Sequence, residues 1–377
     1  MSITPPANSG PLIRNDQKMK YRPMGKTGLF VSALSFGCMR LADDAELNAR
    51  LLPRAVELGV NYFETTRGYL GGACQHRVAG GIKGKSDGVI LSGKAAIGPD
   101  TTAFSFRQEI ELQLQILGIT HFKFFQVGWM RWANFPHLLK RGGALEAIRR
   151  AQDEGLIQHV GFTGHDLPEN VIRMMETGLF DSITVPYNMV NRRYEPAIAR
   201  AGELGMGVVA MCPVAGGMLN DPLKRVHEAM GVDLPTPAMA LRFVLSNPNV
   251  TTACSGMSTL EMLEENVAAA GSFEPKEGEF REMCIALDRL VAELGSPFCT
   301  GCNYCAGCPQ KLNIAPLMEV WQLGKAFHLE DWARAQIRGL AEIARPDRCT
   351  ACGLCESKCP NGIKICERLK ELARLAG

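Results

Sequence analysis

The segment DDAELNARLLPRAVELGVNYFETT, residues 43–66, contains the structural unit from which most of this chain is built. A helical pattern ends at Gly59, a residue type that commonly follows a helix C-terminus, and the β-rich run NYFETT comes directly after it. Units of a helix followed by a short strand are typical of α/β folds, in which helices cover a sheet of parallel strands.

The same unit recurs along residues 21–272, where β-rich runs alternate with helical patterns. Eight strands are predicted: ALSFGCM (33–39), NYFETT (61–66), VILSGKA (89–95), HFKFFQVG (121–128), HVGFTG (159–164), SITVPYN (182–188), GVVAMCPV (207–214) and VTTACSGM (250–257). Eight strands in alternation with helices predict an α/β fold of the (β/α)8, or TIM-barrel, type. A doubly wound sheet is the alternative, and it is less favoured because no G-x-G-x-x-G turn follows the first strand.

The composition excludes several classes of function. The chain has 377 residues, of which 46% are hydrophobic and 21% charged, and its net charge is +2. This near-neutral charge implies neither nucleic acid nor an anionic membrane as a partner. No apolar run has the length of a membrane span, and residues 1–20 lack the apolar segment of an export signal. We therefore expect a flexible N-terminal tail and a cytoplasmic location.

Cysteine is abundant and unevenly distributed. The chain has 14 cysteines, and eight of them lie in two short runs, CTGCNYCAGCP (299–309) and CTACGLCESKCP (349–360). Clustered cysteines in a reducing compartment bind metal more often than they form disulfides. The second run has the C-x2-C-x2-C-x3-C-P spacing of bacterial ferredoxins, in which the fourth cysteine binds the other cluster.

Two 4Fe–4S clusters with crossed ligand sets are therefore predicted. One set joins three cysteines of the first run to the last of the second: Cys299, Cys302, Cys305 and Cys359. The other set joins three cysteines of the second run to the last of the first: Cys349, Cys352, Cys355 and Cys308. Structural zinc bound by paired C-x2-C motifs is the alternative, although zinc sites rarely string four cysteines at such short intervals.

These patterns divide the chain into four parts. A tail at 1–20 precedes the barrel at 21–272, a linking helix is predicted within 273–298, and a small ferredoxin-like domain occupies 299–377. The barrel would hold a substrate site, because active sites of such barrels lie at the C-terminal ends of the strands.

Ionisable side chains are predicted at those strand ends. Glu64 and Tyr69 follow the second strand, Lys94 ends the third, and His165 follows the fifth. An ammonium group close to a phenol favours the phenolate, so Lys94 is expected to lower the pKa of Tyr69 and make it a general acid. The alternative is a plain ion pair between Lys94 and Glu64 that lines the mouth of the barrel.

Several segments together resemble the aldo-keto reductase family. They are YRPMGKTGLFVSALSFGCMRL (21–41), GVNYFETTRGY (59–69), VGFTGH (160–165), VPYN (185–188) and SGMSTLEMLEENVAA (255–269). The cysteine-rich tail resembles that of a subgroup with ferredoxin-like clusters. The resemblance implies transfer of hydride from NADPH to a carbonyl by Asp, Tyr, Lys and His.

The sequence departs from this catalytic tetrad at two positions. Tyr69 and Lys94 match the family's Tyr and Lys, whereas Glu64 stands where the family has Asp and Gly128 where it has His. Glu64 is one methylene longer than Asp and keeps the charge that pairs with Lys94. Gly128 removes a hydrogen-bond donor to the substrate oxygen and is expected to leave open space.

The nicotinamide site implied by the resemblance is altered as well. Thr163, Gly164 and Thr184 stand where the family holds the carboxamide with Ser, Asn and Gln. Four further cofactor-binding positions match the family: Gly256, Ser258, Glu265 and Asn266. These residues would preserve a nucleotide pocket of altered affinity or would be relics of the fold, so NAD(P)H use stays open.

The interpretation is an iron–sulfur oxidoreductase of the aldo-keto reductase type with a small-molecule substrate. It would act on a carbonyl or an activated double bond, with electrons relayed through two 4Fe–4S clusters from an external carrier such as a ferredoxin or flavodoxin. A flavin would be needed if hydride and single-electron transfer both operate, but no flavin motif is visible. The alternatives are an NAD(P)H-dependent carbonyl reductase with structural clusters and a non-catalytic electron-transfer subunit.

Overall fold

The computed structural model describes residues 19–84, 88–189, 191–215, 234–293, 299, 305–326, 329–359 and 362–376. The chain divides into two compact units. The first comprises Met1–Asn220 and Pro237–Glu277, and the second comprises Asp221–Thr236 and Gly278–Gly377.

The first unit contains a closed barrel of eight parallel strands, as predicted. The barrel strands are β3 (Leu34–Gly37), β4 (Tyr62–Glu64), β5 (Ile90–Ala96), β6 (Phe122–Met130), β7 (Ile157–Gly164), β8 (Ser182–Pro186), β9 (Gly207–Met211) and β10 (Thr252–Ser255). They lie side by side in chain order, and β10 closes the barrel against β3. All eight strands coincide with the runs predicted from the sequence, because each run is an apolar segment bounded by helical patterns.

Helices follow the strands around the barrel. They are α1 (Ala45–Glu57), α2 (Cys74–Ile82), α3 (Ala103–Leu117), α4 (Phe135–Leu139), α5 (Ala144–Asp153), α6 (Pro168–Met175), α7 (Glu195–Leu204), α8 (Thr236–Ser246) and α9 (Leu260–Ser272). Local signals set their ends: the Asp44 carboxylate accepts a hydrogen bond from the Leu47 N–H, and Gly118 ends α3 in the left-handed conformation.

A hairpin of β1 (Tyr21–Pro23) and β2 (Phe30–Ser32) precedes the barrel and was not predicted from the sequence. Within the hairpin, Gly25 has a φ of +56°, and a Cβ atom there would lie 2.5 Å from the Gly205 carbonyl oxygen just before β9. The hairpin thus packs on the N-terminal ends of the strands. The opposite end, at the C-termini of the strands, is where active sites of this fold lie.

The barrel interior is apolar towards the hairpin and polar towards the open end. The apolar part is a buried cluster of Met24, Val31, Tyr62, Ile90, Phe124, Val209 and Cys254. Towards the C-terminal ends of the strands, the buried side chains include Glu64, Lys94, Gln126 and Thr184. Buried charged and amide groups are stable only when they are bonded to one another, so this polar layer marks the candidate site.

The described part of the second unit contains α-helices joined by loops. Its helices are α10 (Glu279–Glu293), α11 (Ile314–Ala326), α12 (Glu330–Arg338) and α13 (Ile365–Ala376). Helix α10 lies in the segment predicted as a linking helix. Within the described ranges, no helix combines the length and the apolar composition needed to cross a bilayer.

Candidate active site

Lys94 lies between an acid and a phenol in the upper part of the barrel. Its Nζ atom is 2.7 Å from Oε1 of Glu64 and 2.6 Å from Oη of Tyr69. Glu64 ends β4 and Lys94 lies on β5, so neighbouring strands supply the ion pair. Tyr69 comes from the loop after β4, where the Thr66 hydroxyl donates to the Lys94 carbonyl at 2.8 Å. The structure therefore brings together the three residues predicted from the sequence.

The pKa of Tyr69 differs from the sequence-based expectation. Burial raises the pKa of Tyr69 to about 12, although the Lys94 charge lowers it. The lowering by Lys94 that the sequence predicts is present, but desolvation of the phenolate outweighs it, so the net pKa is not lowered. Tyr69 is consequently protonated at neutral pH and can serve as a proton donor.

Lys94 keeps its charge in this buried position. Burial lowers the pKa of Lys94, but the Glu64 carboxylate and Tyr69 oppose this effect, and the net pKa lies above the ordinary value. The ammonium group is therefore charged at neutral pH. Because it contacts Tyr69 as well as Glu64, Lys94 does more than form the plain ion pair considered as the alternative.

The space expected at Gly128 is partly filled. A Cβ atom on Gly128 would lie 2.9 Å from Cγ of Lys94, so the lysine stem occupies the room next to this glycine. The expectation of open space there is wrong for this reason. A side chain at Gly128 would press on the Lys94 stem, which would have to shift to make room.

Trp129 covers the other side of the ammonium group and was not assigned to the catalytic group from the sequence. Its φ is 53°, an unusual value for a tryptophan, at a point where the pairing of β6 with β7 is irregular. The Trp129 N–H donates to Oγ1 of Thr163 at 2.6 Å, and the ring centroid is 5.5 Å from Lys94 Nζ. The strained backbone thus places an aromatic face over the charged group.

A cavity of about 350 Å³ opens beside Lys94 and Trp129. It is also lined by Arg67, whose guanidinium is bonded to the Glu109 carboxylate at 2.8 Å. The volume is in the range of small-molecule sites, and Lys94 itself forms part of the wall.

His165 lies directly after β7, at the predicted position. Its backbone N–H donates to the Met130 carbonyl at 3.0 Å. Burial lowers the pKa of His165 to about 4, and the charges of Lys94 and Arg131 act in the same direction. The imidazole is therefore neutral at pH 7.

Thr163, Gly164 and Thr184, which stand where the family binds the carboxamide, contact other residues of the barrel. Oγ1 of Thr163 accepts from Trp129, and the Thr184 hydroxyl donates to Oε1 of Gln126 at 2.7 Å. A Cβ atom on Gly164 would lie 3.0 Å from a Val171 methyl group. These three positions therefore do not fit the amide-rich grip that a nicotinamide carboxamide would need.

The four matching cofactor positions lie at the end of β10 and in the first turns of α9. Asn266 is buried and its amide donates to Ser255 Oγ at 3.4 Å, whereas the Ser258 hydroxyl lies 3.4 Å from the Met262 sulfur. Glu265 is exposed, and a Cβ atom on Gly256 would lie 2.7 Å from Cγ of Arg40. These are the four positions at which the sequence predicts a match to the family's nucleotide site.

Seven of the eight predicted cluster ligands lie in the described part of the second unit, and Cys302 lies outside it. Cys305 and Cys355 are buried in an apolar cluster, and four more of the predicted ligands pack against that cluster: Cys299, Cys308, Cys349 and Cys359. Cys352 is exposed. In the described ranges, no three His, Cys, Asp or Glu side chains are grouped as ligands of one metal ion. A shared apolar environment for six thiols from both runs fits iron–sulfur binding.

Arg368 on α13 lies among these cysteines. Only 3% of it is exposed, and its guanidinium stacks 4.0 Å from the ring centroid of Trp321. Burial lowers the pKa of Arg368, while the charges of Cys299 and Cys359 oppose that change. A cysteine of the first run and the last cysteine of the second thus act on the same guanidinium.

A closed (β/α)8 barrel with a Glu–Lys–Tyr group at the C-terminal ends of its strands is the architecture of barrel enzymes, whose active sites lie at that end. Comparison with known families makes the class specific. Residues 33–286 match the profile of the Aldo/keto reductase family, and residues 298–364 match that of a 4Fe-4S dicluster domain. The chain belongs to the aldo/keto reductase family and carries a C-terminal 4Fe-4S domain, so the predicted fold and family are confirmed.

Individual relatives are distant. The chain is 25% identical over 300 residues to an uncharacterized oxidoreductase, YqkF, of Bacillus subtilis, which covers 70% of this chain and 95% of the relative. It is 25% identical over 292 residues to an L-galactose dehydrogenase of Arabidopsis thaliana, and the alignment covers 68% of this chain and 90% of the relative. The holo form of an aldo-keto reductase from Bacillus halodurans superposes with a TM-score of 0.64 at 24% identity, over 71% of this chain and 96% of that structure. This similarity supports the barrel fold.

Proposed function

We propose that this chain is an iron–sulfur oxidoreductase that interconverts a carbonyl or activated double bond with its reduced form. The observation that carries the proposal is the Lys94 ammonium group, which lies 2.7 Å from Glu64 and 2.6 Å from Tyr69 at the open end of the barrel. This arrangement supplies a protonated phenol with a fixed positive charge beside it, as a reduction that places a proton on oxygen requires.

Tyr69 donates the proton in this proposal. Reduction of a carbonyl to an alcohol takes up two electrons and two protons: Tyr69 gives one proton to the substrate oxygen, and water supplies the proton that is added at the carbon. Lys94 stabilises the phenolate that remains, and Glu64 holds Lys94 in place. In the reverse direction the phenolate takes the proton back from the alcohol.

The cysteines would hold two 4Fe–4S clusters in the crossed sets given above, and such clusters supply or accept electrons one at a time. The buried positions of Cys305 and Cys355 exclude water from part of each ligand set. An external one-electron carrier of the ferredoxin or flavodoxin kind would be the partner, and the protein would act in the cytoplasm.

This function is tested on the anaerobically purified full-length protein. We expect about eight iron and about eight acid-labile sulfide per chain, with a broad visible absorbance that bleaches on reduction. The reduced protein is then mixed with a panel of aldehydes, ketones and enones, and return of the absorbance is followed. We expect at least one compound to reoxidise the protein.

The control is the Tyr69→Phe variant, which should reoxidise far more slowly with the same compound. Stoichiometric zinc without labile sulfide would contradict the cluster assignment. Reoxidation that proceeds equally well without Tyr69 would contradict the barrel as the site of the reaction.

A second candidate function is supported by Gly256 and Ser258, which follow β10, and by Asn266 on α9, all three of which match the family's residue types. These residues favour an NAD(P)H-dependent carbonyl reductase with structural clusters. Tyr69 would play the same role there, and hydride would replace the two single electrons and one of the protons. A non-catalytic electron-transfer subunit is less favoured, because such a subunit has no use for the charged group at Lys94.

Weak binding of the nicotinamide moiety is a prediction that separates the two functions. Gly164 and Thr184 replace two amide side chains, and each lost hydrogen bond costs about 0.5–1.5 kcal/mol. We therefore expect NADPH affinity to be about tenfold or more below that of a barrel with the full carboxamide grip. Calorimetric titration of the full-length protein measures it.

The matched ligand is 2′-phospho-ADP-ribose, which keeps the adenosine 2′-phosphate, the pyrophosphate and the second ribose of NADPH and lacks only the nicotinamide ring. It should bind about as tightly as NADPH if the carboxamide finds no partners. Submicromolar NADPH affinity together with much weaker binding of the truncated ligand would favour the nicotinamide-dependent function.

A further inference from the structure

Gln126 is a buried glutamine in the middle of the barrel. It lies on β6, directly opposite Lys94 in the pairing of β5 with β6, and only 1% of it is exposed. An amide in such a position is destabilising unless its polar atoms are hydrogen-bonded. Transfer of an unbonded amide from water to an apolar environment costs about 2–7 kcal/mol. The question is therefore what this amide binds.

Both ends of the Gln126 amide have partners from other strands. Its oxygen accepts from the Thr184 hydroxyl on β8 at 2.7 Å. Its nitrogen donates to Oε2 of Glu64 on β4 at 3.1 Å and to Oγ of Ser92 on β5 at 2.9 Å. All four side chains are buried, and together they bridge the barrel interior. The amide is thereby held in one orientation.

The Glu64 carboxylate is shared between two donors. Oε1 binds Lys94 at 2.7 Å, and Oε2 binds Gln126 at 3.1 Å. A glutamate has one more rotatable bond than an aspartate, so its carboxylate needs a second partner to stay in one place. Gln126 is that partner, and Thr184 keeps the nitrogen of Gln126 turned towards Glu64.

We propose that Gln126 and Thr184 are positioning residues that hold the Glu64 carboxylate on Lys94, and through Lys94 act on Tyr69. The inference rests on the proposed acid–base role of these three residues and extends it across the barrel. It also gives a role to Thr184, which stands where the family has a carboxamide-binding residue. The Thr184 hydroxyl donates a hydrogen bond to Gln126 instead.

The consequence is electrostatic and can be measured on Tyr69. The titratable groups that act most strongly on Tyr69 are Lys94, Glu64 and Cys254. Without the Gln126 N–H, Oε2 of Glu64 loses its donor and the carboxylate is free to rotate away from Lys94. The Lys94 charge is then less compensated, the phenolate is favoured, and the pKa of Tyr69 falls.

The test uses full-length protein labelled with ¹³C at the ζ carbon of tyrosine, and no substrate is needed. The Tyr69 resonance is the one that disappears in Tyr69→Phe. In the wild type we expect it to stay in the phenol form up to about pH 10.5, and in Gln126→Leu we expect its pKa to fall by about one unit or more. Thr184→Val, which is nearly isosteric, should act in the same direction, and Thr184→Ser should keep the wild-type behaviour.

A double-mutant cycle separates positioning from general loosening of the site. If Gln126 acts through Glu64, then Gln126→Leu has no further effect on the pKa of Tyr69 in the Glu64→Gln background. If Gln126→Leu instead loosened the site and admitted water, the pKa of Tyr69 would fall with Glu64 present and in the Glu64→Gln variant alike. The control Thr252→Val removes another buried threonine hydroxyl, which donates to the Ala33 carbonyl at 3.2 Å, and should leave Tyr69 unchanged.

An unchanged pKa of Tyr69 in both Gln126→Leu and Thr184→Val would overturn the proposal, as would equal shifts in the presence and absence of the Glu64 charge. The measurement is independent of turnover. Full activity of Tyr69→Phe would therefore overturn the proposed function while leaving the positioning result as measured.

Discussion

Replacing Tyr69 with phenylalanine is expected to lower turnover by about 10²–10⁴-fold, the usual contribution of a general acid. The substitution removes only the phenol oxygen, which lies 2.6 Å from Lys94 Nζ. The ring remains to cover the ammonium group. The loss should therefore appear in turnover, whereas circular dichroism and iron content stay as in the wild type.

The pH dependence of turnover is a second test of proton donation by Tyr69. Because burial raises the pKa of Tyr69 to about 12, the phenol stays protonated across the physiological range. Proton donation by Tyr69 is fully available below this pKa and is lost only as the pH rises through it. Turnover of a Tyr69-dependent reduction should thus show no decline assignable to this phenol up to about pH 10.

The matched control is Tyr21→Phe. The Tyr21 hydroxyl lies at the opposite end of the barrel and donates to the Gly59 carbonyl at 2.9 Å. This variant loses one phenol oxygen as Tyr69→Phe does, but turnover should not change. Equal turnover in Tyr69→Phe and the wild type, with the compound that reoxidises the reduced protein, would refute proton donation by Tyr69.

Replacing Cys308 with serine is expected to eliminate or strongly alter one of two cluster signals in the paramagnetic resonance spectrum of the reduced protein. With crossed ligand sets, the affected cluster is the one held by Cys349, Cys352 and Cys355. Loss of a thiolate ligand destabilises the whole cluster, so iron should fall from about eight towards about four per chain.

Reference variants assign the signals. Cys352→Ser should affect the same signal as Cys308→Ser, and Cys305→Ser the other. Cys366→Ser is the control, because Cys366 packs in the same apolar cluster but is not among the predicted ligands, and both signals should persist. If Cys308→Ser changed the signal that Cys305→Ser changes, each run would bind its own cluster and the crossed sets would be wrong.

The fold could be predicted from the sequence because its signals are local. Each barrel strand is a short apolar run next to a helical pattern, and a glycine such as Gly59 or Gly118 ends the helix in between. The hairpin at residues 21–32 escaped notice because its two strands have three residues each, too few for a clear alternation. Their pairing follows from packing on the barrel end, where Gly25 meets Gly205.

The candidate site could be predicted only in part. Glu64, Lys94 and Tyr69 were recognised because strand ends of a barrel converge. Gln126 was missed because it stands alone in the apolar run HFKFFQVG, where a single polar residue gives no pattern. Its partners Thr184 and Ser92 are distant in the chain and meet it only inside the closed barrel.

The sequence by itself determined the alternation that builds a (β/α)8 barrel and the cysteine spacing that marks a 4Fe-4S domain, since both depend on neighbours a few residues apart. Only the tertiary structure decided the protonation of Tyr69, the space at Gly128 and the partner of Thr184. Burial raises the pKa of Tyr69 by more than the Lys94 charge lowers it. The stem of Lys94 occupies the space beside Gly128. Desolvation and packing depend on residues from several strands at once, and no stretch of sequence contains them together.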